Sequence, residues 1–419
     1  MYTIRCRSER ILRFARAGDN YYTLYKTRPP VVGAPYLREG EMKFSRLLLA
    51  AAIPLCSLYT AQAMAAQPAV MSASISEKAE LETVAAFGNH MAIGLSVNSQ
   101  NRVFTGFPGA DGDGNLSLVE IKDGKLTAYP DKAWNEKGDY GSHFLRVQDL
   151  FVDSNDMLWV LDSKPSPSAN VFRDEAKDVP GQFKLVKINT KTDQVEKVYL
   201  FDDLDKARAG LNDMRIDTEK NYAYFSDPGM SAIVVLNLET EKTRVLLKGS
   251  PYTTIDKDFV LTYDGTVMQD KNGNPFTSAV NGIALTHDFK YFYFKPINKA
   301  ELFRIETRYL ADESLSDQDV AKHVEEVAKV GVTHGLVADK SGNVYLTTSE
   351  DYSISYITPK GEIKRLVQDP RILWPDSLGV GSDGYLYFTC AQLQLLAQWS
   401  GGKDRTAYPY RAYRVKLPS

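Results

Sequence analysis

Between Gln148 and Phe388 one short phrase is written four times, with a less regular fifth copy. It runs Gln148-Asp149-Leu150-Phe151-Val152-Asp153, then Leu158-Trp159-Val160-Leu161-Asp162. It returns from Asn212 to Asp217 before Tyr222-Ala-Tyr-Phe, and from Asn281 to Leu285 before Tyr291-Phe-Tyr-Phe. It returns again from His334 to Asp339 before Val344-Tyr-Leu, and from Asp376 to Val380 before Tyr385-Leu-Tyr-Phe. Each copy is a polar opener, an alternating apolar strand, a tight polar turn and an aromatic-rich strand. A supersecondary unit repeating every few tens of residues must bury its apolar faces against its own copies, which restricts the chain to a solenoid or a propeller.

Most copies are followed by a hairpin. Phe183–Ile188 pairs with Gln194–Leu200 around Asn189–Asp193, Ala232–Asn237 with Thr243–Leu247, and Ser353–Ile357 with Glu362–Val367. A unit therefore holds four strands. A sixth, less regular unit stands in front: Ile93–Val97, Arg102–Phe107, Leu116–Ile121 and Leu126–Tyr129. Either Leu81–Phe87 or Arg411–Leu417 can close the ring by strand exchange. The expected fold is all-β, a six-bladed β-propeller of four-stranded antiparallel blades around a central channel, because radial packing shields strand edges. Helical periodicity is confined to Ser316–Val330, where Val320, Val324 and Val327 share a face. Lys164–Val179 and Pro251–Ala279 are long insertions, and loops of that length usually serve a function.

The chain's front reads as a leader. Met42-Lys-Phe-Ser-Arg46 is basic, Leu47–Leu58 is apolar but too short to span a bilayer, and Ala61-Gln-Ala63 and Ala63-Met-Ala65 are cleavage signals. Residues 1–66 are read as an upstream extension plus a secretory signal peptide starting at Met42, cut near Ala63–Ala66. Residues 67–419 are read as the propeller, secreted or periplasmic. Cys56 follows the bulky Leu55, which disfavours a lipid anchor, so no stable membrane anchor is expected. Residues 1–66 carry ten Lys/Arg against four Asp/Glu, so a formal net charge of −3 becomes −9 for the remainder. That charge repels phosphate backbones and excludes nucleic acid as a partner. Of three cysteines only Cys390 lies beyond the leader, so no internal disulfide forms and stability must come from the core.

Strand openers in a propeller face the axis, so Gln148, Asn212, Asn281, His334 and Asp376 should converge as a ring of ligand-binding polar groups. The competing reading has them hydrogen-bonded to neighbouring blades as strand-start caps. His334, which belongs to a residue type that titrates near neutrality, and Asp213 are the candidates for acid/base catalysis. Asp111-Gly-Asp-Gly-Asn115 fails the EF-hand spacing, with Leu116 and Lys122 where glycine and glutamate belong, and Asp270-Lys-Asn-Gly-Asn274 fails likewise. Tyr222, Tyr224, Tyr291, Tyr293, Tyr345 and Tyr387 are read as inter-blade packing, with one or two near the channel mouth able to stack on a ligand. No nucleophile elbow, phosphate-binding glycine loop or Cys/His knuckle is present.

The repeats carry a resemblance. Arg146-Val-Gln-Asp-Leu-Phe-Val-Asp153 with Leu158-Trp-Val-Leu-Asp162, Ala223-Tyr-Phe-Ser-Asp-Pro-Gly229, Glu301–Leu310 and Trp374-Pro-Asp-Ser-Leu378 look like the yellow / major royal jelly protein family in its bacterial branch, whose members are labelled as related to dopachrome tautomerase. The resemblance implies a secreted six-bladed propeller that binds a small ligand, since some insect members take biogenic amines or sterols. The disulfide cysteines of the insect relatives are missing here. More distantly, the chain is similar to gluconolactonase/regucalcin propellers. Their axial divalent metal uses a first-blade glutamate, two strand-heading asparagines and an aspartate. That likeness implies a cation such as calcium at Asn212 and Asn281, but His334 stands at the aspartate position and Met91–Ile93 supplies no acid. The expectation is an exported propeller binding a small aromatic or amine-bearing molecule in its channel. The alternative is a metal-dependent lactonase-like hydrolase or a tautomerase at the same channel.

Overall fold

The computed structural model describes residues 80–109, 116–169 and 179–418. The leader, the boundary at residues 66 and 67, the acidic loop Asp111–Asn115 and most of the Lys164–Val179 insertion lie outside the described residues. The strands form six four-stranded antiparallel sheets and one two-stranded hairpin. Blade 1 is Leu95–Val97, Val103–Gly106, Leu118–Lys122 and Lys125–Ala128, and blade 2 is Val147–Val152, Met157–Lys164, Gln182–Asn189 and Gln194–Tyr199. Blade 3 is Met214–Asp217, Tyr222–Asp227, Ala232–Asn237 and Thr243–Leu246, and blade 4 is Val280–Leu285, Tyr291–Pro296, Glu301–Glu306 and Glu325–Lys329. Blade 5 is Thr333–Ala338, Val344–Thr348, Ser353–Ile357 and Ile363–Gln368. Blade 6 is Pro375–Val380, Tyr385–Cys390 and Arg411–Lys416, with Glu82–Ala86 as its outermost strand. The two closure candidates thus join one blade, side by side, in the register Glu82↔Arg414 to Ala86↔Arg411. The innermost strands touch in ring order, blade 6 against blade 1 included.

Why the strands are apolar on both faces follows from where the core sits. Side chains alternate across a strand. In blade 2, Trp159, Leu161, Phe183 and Leu185 pack toward Met214, Ile216 and Phe225 of blade 3. Their neighbours Leu158, Val160, Val186 and Ile188 pack toward Phe104 and Leu118 of blade 1. Each such fully buried side chain contributes roughly 1.5–3 kcal/mol. The polar turn after the innermost strand is held by one device. Asp153 Oδ1 accepts the backbone N–H groups of Asn155 and Met157 at 2.8 and 3.0 Å, while Oδ2 accepts Trp159 Nε1–H at 2.8 Å. Asp339 does the same with Ser341, Asn343 and the Tyr345 hydroxyl, and Asp217 with Glu219, Lys220 and the Tyr224 hydroxyl. That explains why each of these turns pairs an aspartate with an aromatic residue on the next strand.

The helix expected over Ser316–Val330 is corrected. Only Asp317–Ala321 is helical, capped by Ser316 Oγ accepting the Asp319 N–H. Glu325–Lys329 is the outermost strand of blade 4, and Leu302 pairs with Ala328. Val320 and Val324 pack on one side of the blade and Val327 on the other, so the shared helical face does not exist. Pairing with the edge of Glu301–Glu306 outweighs a marginal local helix signal. No described helix is long and apolar enough to cross a membrane.

Candidate functional site

All five strand openers, Gln148, Asn212, Asn281, His334 and Asp376, line one pocket open to solvent. In blade 1 the equivalent wall residue is Ile93. Insertions supply part of the rim: Pro165 and Ala169 from the connection inside blade 2, Phe276 and Ser278 from Pro251–Ala279, and Leu393 from the connection inside blade 6. None of the six tyrosines lines it; Tyr224 and Tyr345 are committed to the turn aspartates.

One residue after each opener stands an aspartate in blades 2 and 3, a glycine in blades 4 and 5 and a serine in blade 6: Asp149, Asp213, Gly282, Gly335 and Ser377. The glycines permit close approach. A Cβ at Gly282 would collide with the His334 carbonyl, and one at Gly335 with the Asp376 carbonyl. Asp149 meets Arg215, whose Nη1 lies 3.2 Å from Asp149 Oδ2 and whose Nη2 donates to the Leu336 carbonyl at 2.6 Å. Its guanidinium also lies 5.6 Å from the ring of Phe151. Asp149 and Phe151 belong to blade 2 and Leu336 to blade 5, which stand opposite in a ring of six. Arg215 therefore lies across the axis, and the channel is a blind pocket. Asp149 Oδ2 also accepts the Met214 N–H at 2.8 Å.

Three carboxylates share this floor with one guanidinium. Asp376 has a side of its carboxylate open to the pocket but lies deep within the protein; burial pushes it up to about 7, against the Trp374 indole N–H that donates to Oδ2 at 3.1 Å. Burial, with the charges of Asp149 and Asp376, holds Asp213 well above the usual carboxylate range. Asp213 Oδ1 accepts Asn212 Nδ2–H at 2.8 Å, and Asn212 Oδ1 accepts from Gln148 Nε2 at 3.2 Å. The openers thus bond both to one another and to the floor.

His334 is fixed on every side. Nδ1 lies 3.1 Å from the Pro375 carbonyl, which can only accept, so Nδ1 carries the proton. Nε2 then accepts from the Ser349 hydroxyl at 3.0 Å, and Ser349 accepts from Tyr263 at 2.8 Å. The ring stacks on Trp374 with centroids 3.8 Å apart and 9° between planes. Burial lowers its pKa to about 3. In this arrangement neither ring nitrogen is available to a metal or to a proton in transit, and His334 serves as a neutral wall.

That bears on the metal that the gluconolactonase likeness implies. The pocket offers the Gln148 and Asn212 amides, already bonded to neighbours, the neutral amide of Asn281, an engaged imidazole and Ile93 in place of an acid. Among the described residues no three His, Cys, Asp or Glu side chains form a metal-holding group. A hard cation wants several free anionic oxygens, and this donor set does not fit one. Arg215, Trp374, Phe276, Ser278 and Arg146 are the site residues that the repeat pattern missed. A charged residue inside Met214-Arg215-Ile216 was the one available signal for the first.

The family model described as "Major royal jelly protein" matches residues 146–417. Among solved structures, a gluconolactonase from Xanthomonas campestris is similar over 81% of this chain and 90% of its own, at 12% identity and a TM-score of 0.49. Regucalcin from Agrobacterium tumefaciens, a calcium-binding protein, is similar over 81% and 96%, at 12% identity and 0.48. A virginiamycin B lyase from Staphylococcus aureus is similar over 81% and 100%, at 16% identity and 0.44. No curated protein matches the sequence significantly.

Proposed function

The chain belongs to the major royal jelly protein family, and we propose that it is an exported binding protein whose blind axial pocket holds a small organic cation, an amine attached to an apolar or aromatic body. The observation that carries this reading is Asp376, which faces the pocket with Asp149 and Asp213 behind it, three carboxylates against the guanidinium of Arg215 beneath the pocket and that of Arg146 on its wall. A buried carboxylate without a counter-ion is costly, so it titrates up or recruits a cation. An ammonium group donating to Asp376, with Asn212 and Asn281 orienting it, satisfies the floor. Phe276, Trp374 and Ile297 supply contact area. The Met42 to Ala66 leader supports export.

The test is calorimetric titration with a panel of aryl-alkyl amines and their neutral isosteres, the alcohols and N-acetyl derivatives. Amines should bind and isosteres should not, and Asp376→Asn should weaken amine binding at least tenfold. Equal binding of amines and isosteres defeats the reading. A second reading, a proton-shuttling tautomerase, is favoured by one observation: Asp376 lines the pocket while buried enough to be pushed up to about 7, where an acid/base group works best. There Asp376 and Asp213 would pass the proton. A metal-dependent lactonase finds no support in the donor set.

A further inference from the structure

The motif Asp270-Lys-Asn-Gly-Asn274, which fails the calcium spacing, forms a hairpin tip in the Pro251–Ala279 insertion. Asp270 N–H donates to the Asn274 carbonyl at 2.9 Å, and Gly273 N–H donates to the Asp270 carbonyl at 3.1 Å. With Gly273 at φ 83°, Lys271 to Gly273 is a three-residue hairpin loop that ends on a left-handed glycine. Asp270 Oδ1 accepts the Asn272 and Asn274 N–H groups at 2.8 and 2.9 Å. The arms below the loop are knitted to the stretch after Cys390. Gln269 N–H donates to the Trp399 carbonyl at 3.1 Å, and Gly401 N–H donates to the Gln269 carbonyl at 3.2 Å. Phe276, on the pocket rim, packs edge-on against Trp399 at 5.1 Å. These two insertions make one cap beside the pocket.

The sequence holds two Asn-Gly pairs, Asn272-Gly273 and Asn281-Gly282, and the fold treats them oppositely. An asparagine before glycine can cyclise on its own backbone. The glycine nitrogen gives up its proton and bonds to the side-chain Cγ, while the bond from Cγ to the amide nitrogen breaks and ammonia leaves. Water then opens the cyclic imide at either carbonyl, leaving aspartate or isoaspartate. Glycine favours the attack because no Cβ crowds it and its backbone turns freely. Residues 271–275 are all exposed, and a Cβ at Gly273 would meet nothing within 4 Å. Only the exposed turn bond from Gly273 to Asp270 has to open, and such bonds open at little cost. Gly282 is buried and pairs with Lys295 inside blade 4. A Cβ there would meet the His334 carbonyl at 2.2 Å and Leu336 Cδ1 at 2.3 Å, so this backbone has no room to turn its nitrogen onto Asn281.

We propose that Asn272 is a modification site, which converts spontaneously in water to aspartate and isoaspartate while Asn281 stays intact. Either product sets a second carboxylate beside Asp270. Isoaspartate also routes the chain through its side chain, which inserts a methylene into a loop whose length fixes the register of its arms. The misfit passes to Gln269 and its bonds with Trp399 and Gly401, so the cap loosens as the folded molecule ages.

The experiment holds the full chain at mildly alkaline pH, folded or unfolded in urea, and follows both pairs by peptide mapping with fragment spectra that separate Asn, Asp and isoaspartate. In the folded chain Asn272 should convert at least about tenfold faster than Asn281, and in urea the two rates should agree within about threefold. Asn272→Gln, whose longer side chain must close a larger ring, should yield no product in the loop. Amide exchange at Gln269 and Gly401 should quicken at least about threefold in the aged chain. It should stay unchanged in fresh Asn272→Asp, which carries the charge without the extra methylene. Similar rates for the two pairs in the folded chain, conversion of Asn272 in urea alone, or a disparity in urea as large as in the folded state overturns the site. Unchanged exchange in the aged chain, or equal quickening in Asn272→Asp, overturns the loosening by isoaspartate.

Discussion

The guanidinium of Arg215 donates across the propeller axis to the carbonyl of Leu336, 2.6 Å away. It is at once the counter-ion of Asp149, the plug of the channel and the tie between opposite blades. Removing one partner of a buried ion pair typically costs about 3–5 kcal/mol, because the other charge is stranded. Arg215→Met should lower unfolding free energy by that order in urea titrations, and Asp149→Asn added to it should recover part of the loss. A single variant within 1 kcal/mol of the unmodified protein would show that Arg215 does not hold the hub.

Asp376 and His334 should give opposite pH slopes. The folded-state pKa of Asp376 is raised to about 7, so its stabilising contribution is present below the unfolded value and lost as pH rises through 7. Asp376→Asn should therefore gain on the unmodified protein in ligand-free melting temperature between pH 4.5 and 7.5. Asp213, which the Asp376 charge helps hold above the usual carboxylate range, relaxes with it in the variant, and the buried Lys295, lowered to about 7, titrates alike in both proteins. For His334 the folded pKa is depressed to about 3, so its contribution is present above about 6.5 and lost as pH falls below it. His334→Gln should flatten that acid limb. Melting curves across this range that leave both slopes unchanged would count against the burial assigned to these two side chains.

The tautomer of His334 is itself checkable. Long-range nitrogen–proton spectra should report a neutral ring protonated on Nδ1, with no titration between pH 5 and 8. An imidazolium appearing in that range would dissolve the Tyr263–Ser349–His334 chain and restore His334 as an acid/base candidate.

Much of this was legible before any coordinates. Recurrence of a polar opener before an apolar strand is enough to put Gln148, Asn212, Asn281, His334 and Asp376 around one axis, because a ring of like blades leaves openers no other place to point. What was illegible depends on three-dimensional neighbours. Whether His334 is a reactive imidazole or a locked wall is decided by Pro375 and Ser349, and nothing local announces either. Val320, Val324 and Val327 read as a helix face because short valine spacings suit two periodicities, and only the open edge of Glu301–Glu306 decides between them. Ser278 lies in an insertion with no period at all. The length of that insertion pointed to a role, but no residue within it was marked.

Closure of the ring can be tested by starting the chain at Gly88. That removes Glu82–Ala86, strips Arg414 of its 2.7 Å pair with Glu82 and exposes the edge of Arg411–Lys416. An unpaired edge strand is a template for association. The shortened chain should melt at least about 5 °C lower and elute partly as oligomers in gel filtration. An unchanged monomer would mean that three strands suffice for blade 6.

The origin of blade 6 sets a timetable for the ligand site. Glu82 emerges from the ribosome 332 positions before Arg414, the residue it must meet. Until then the sheet that carries Asp376 has no outer seal, and a nascent chain displays its first strand with no mate. The acid that we assign to the occupant's charge is therefore seated in the last wedge that the chain can finish.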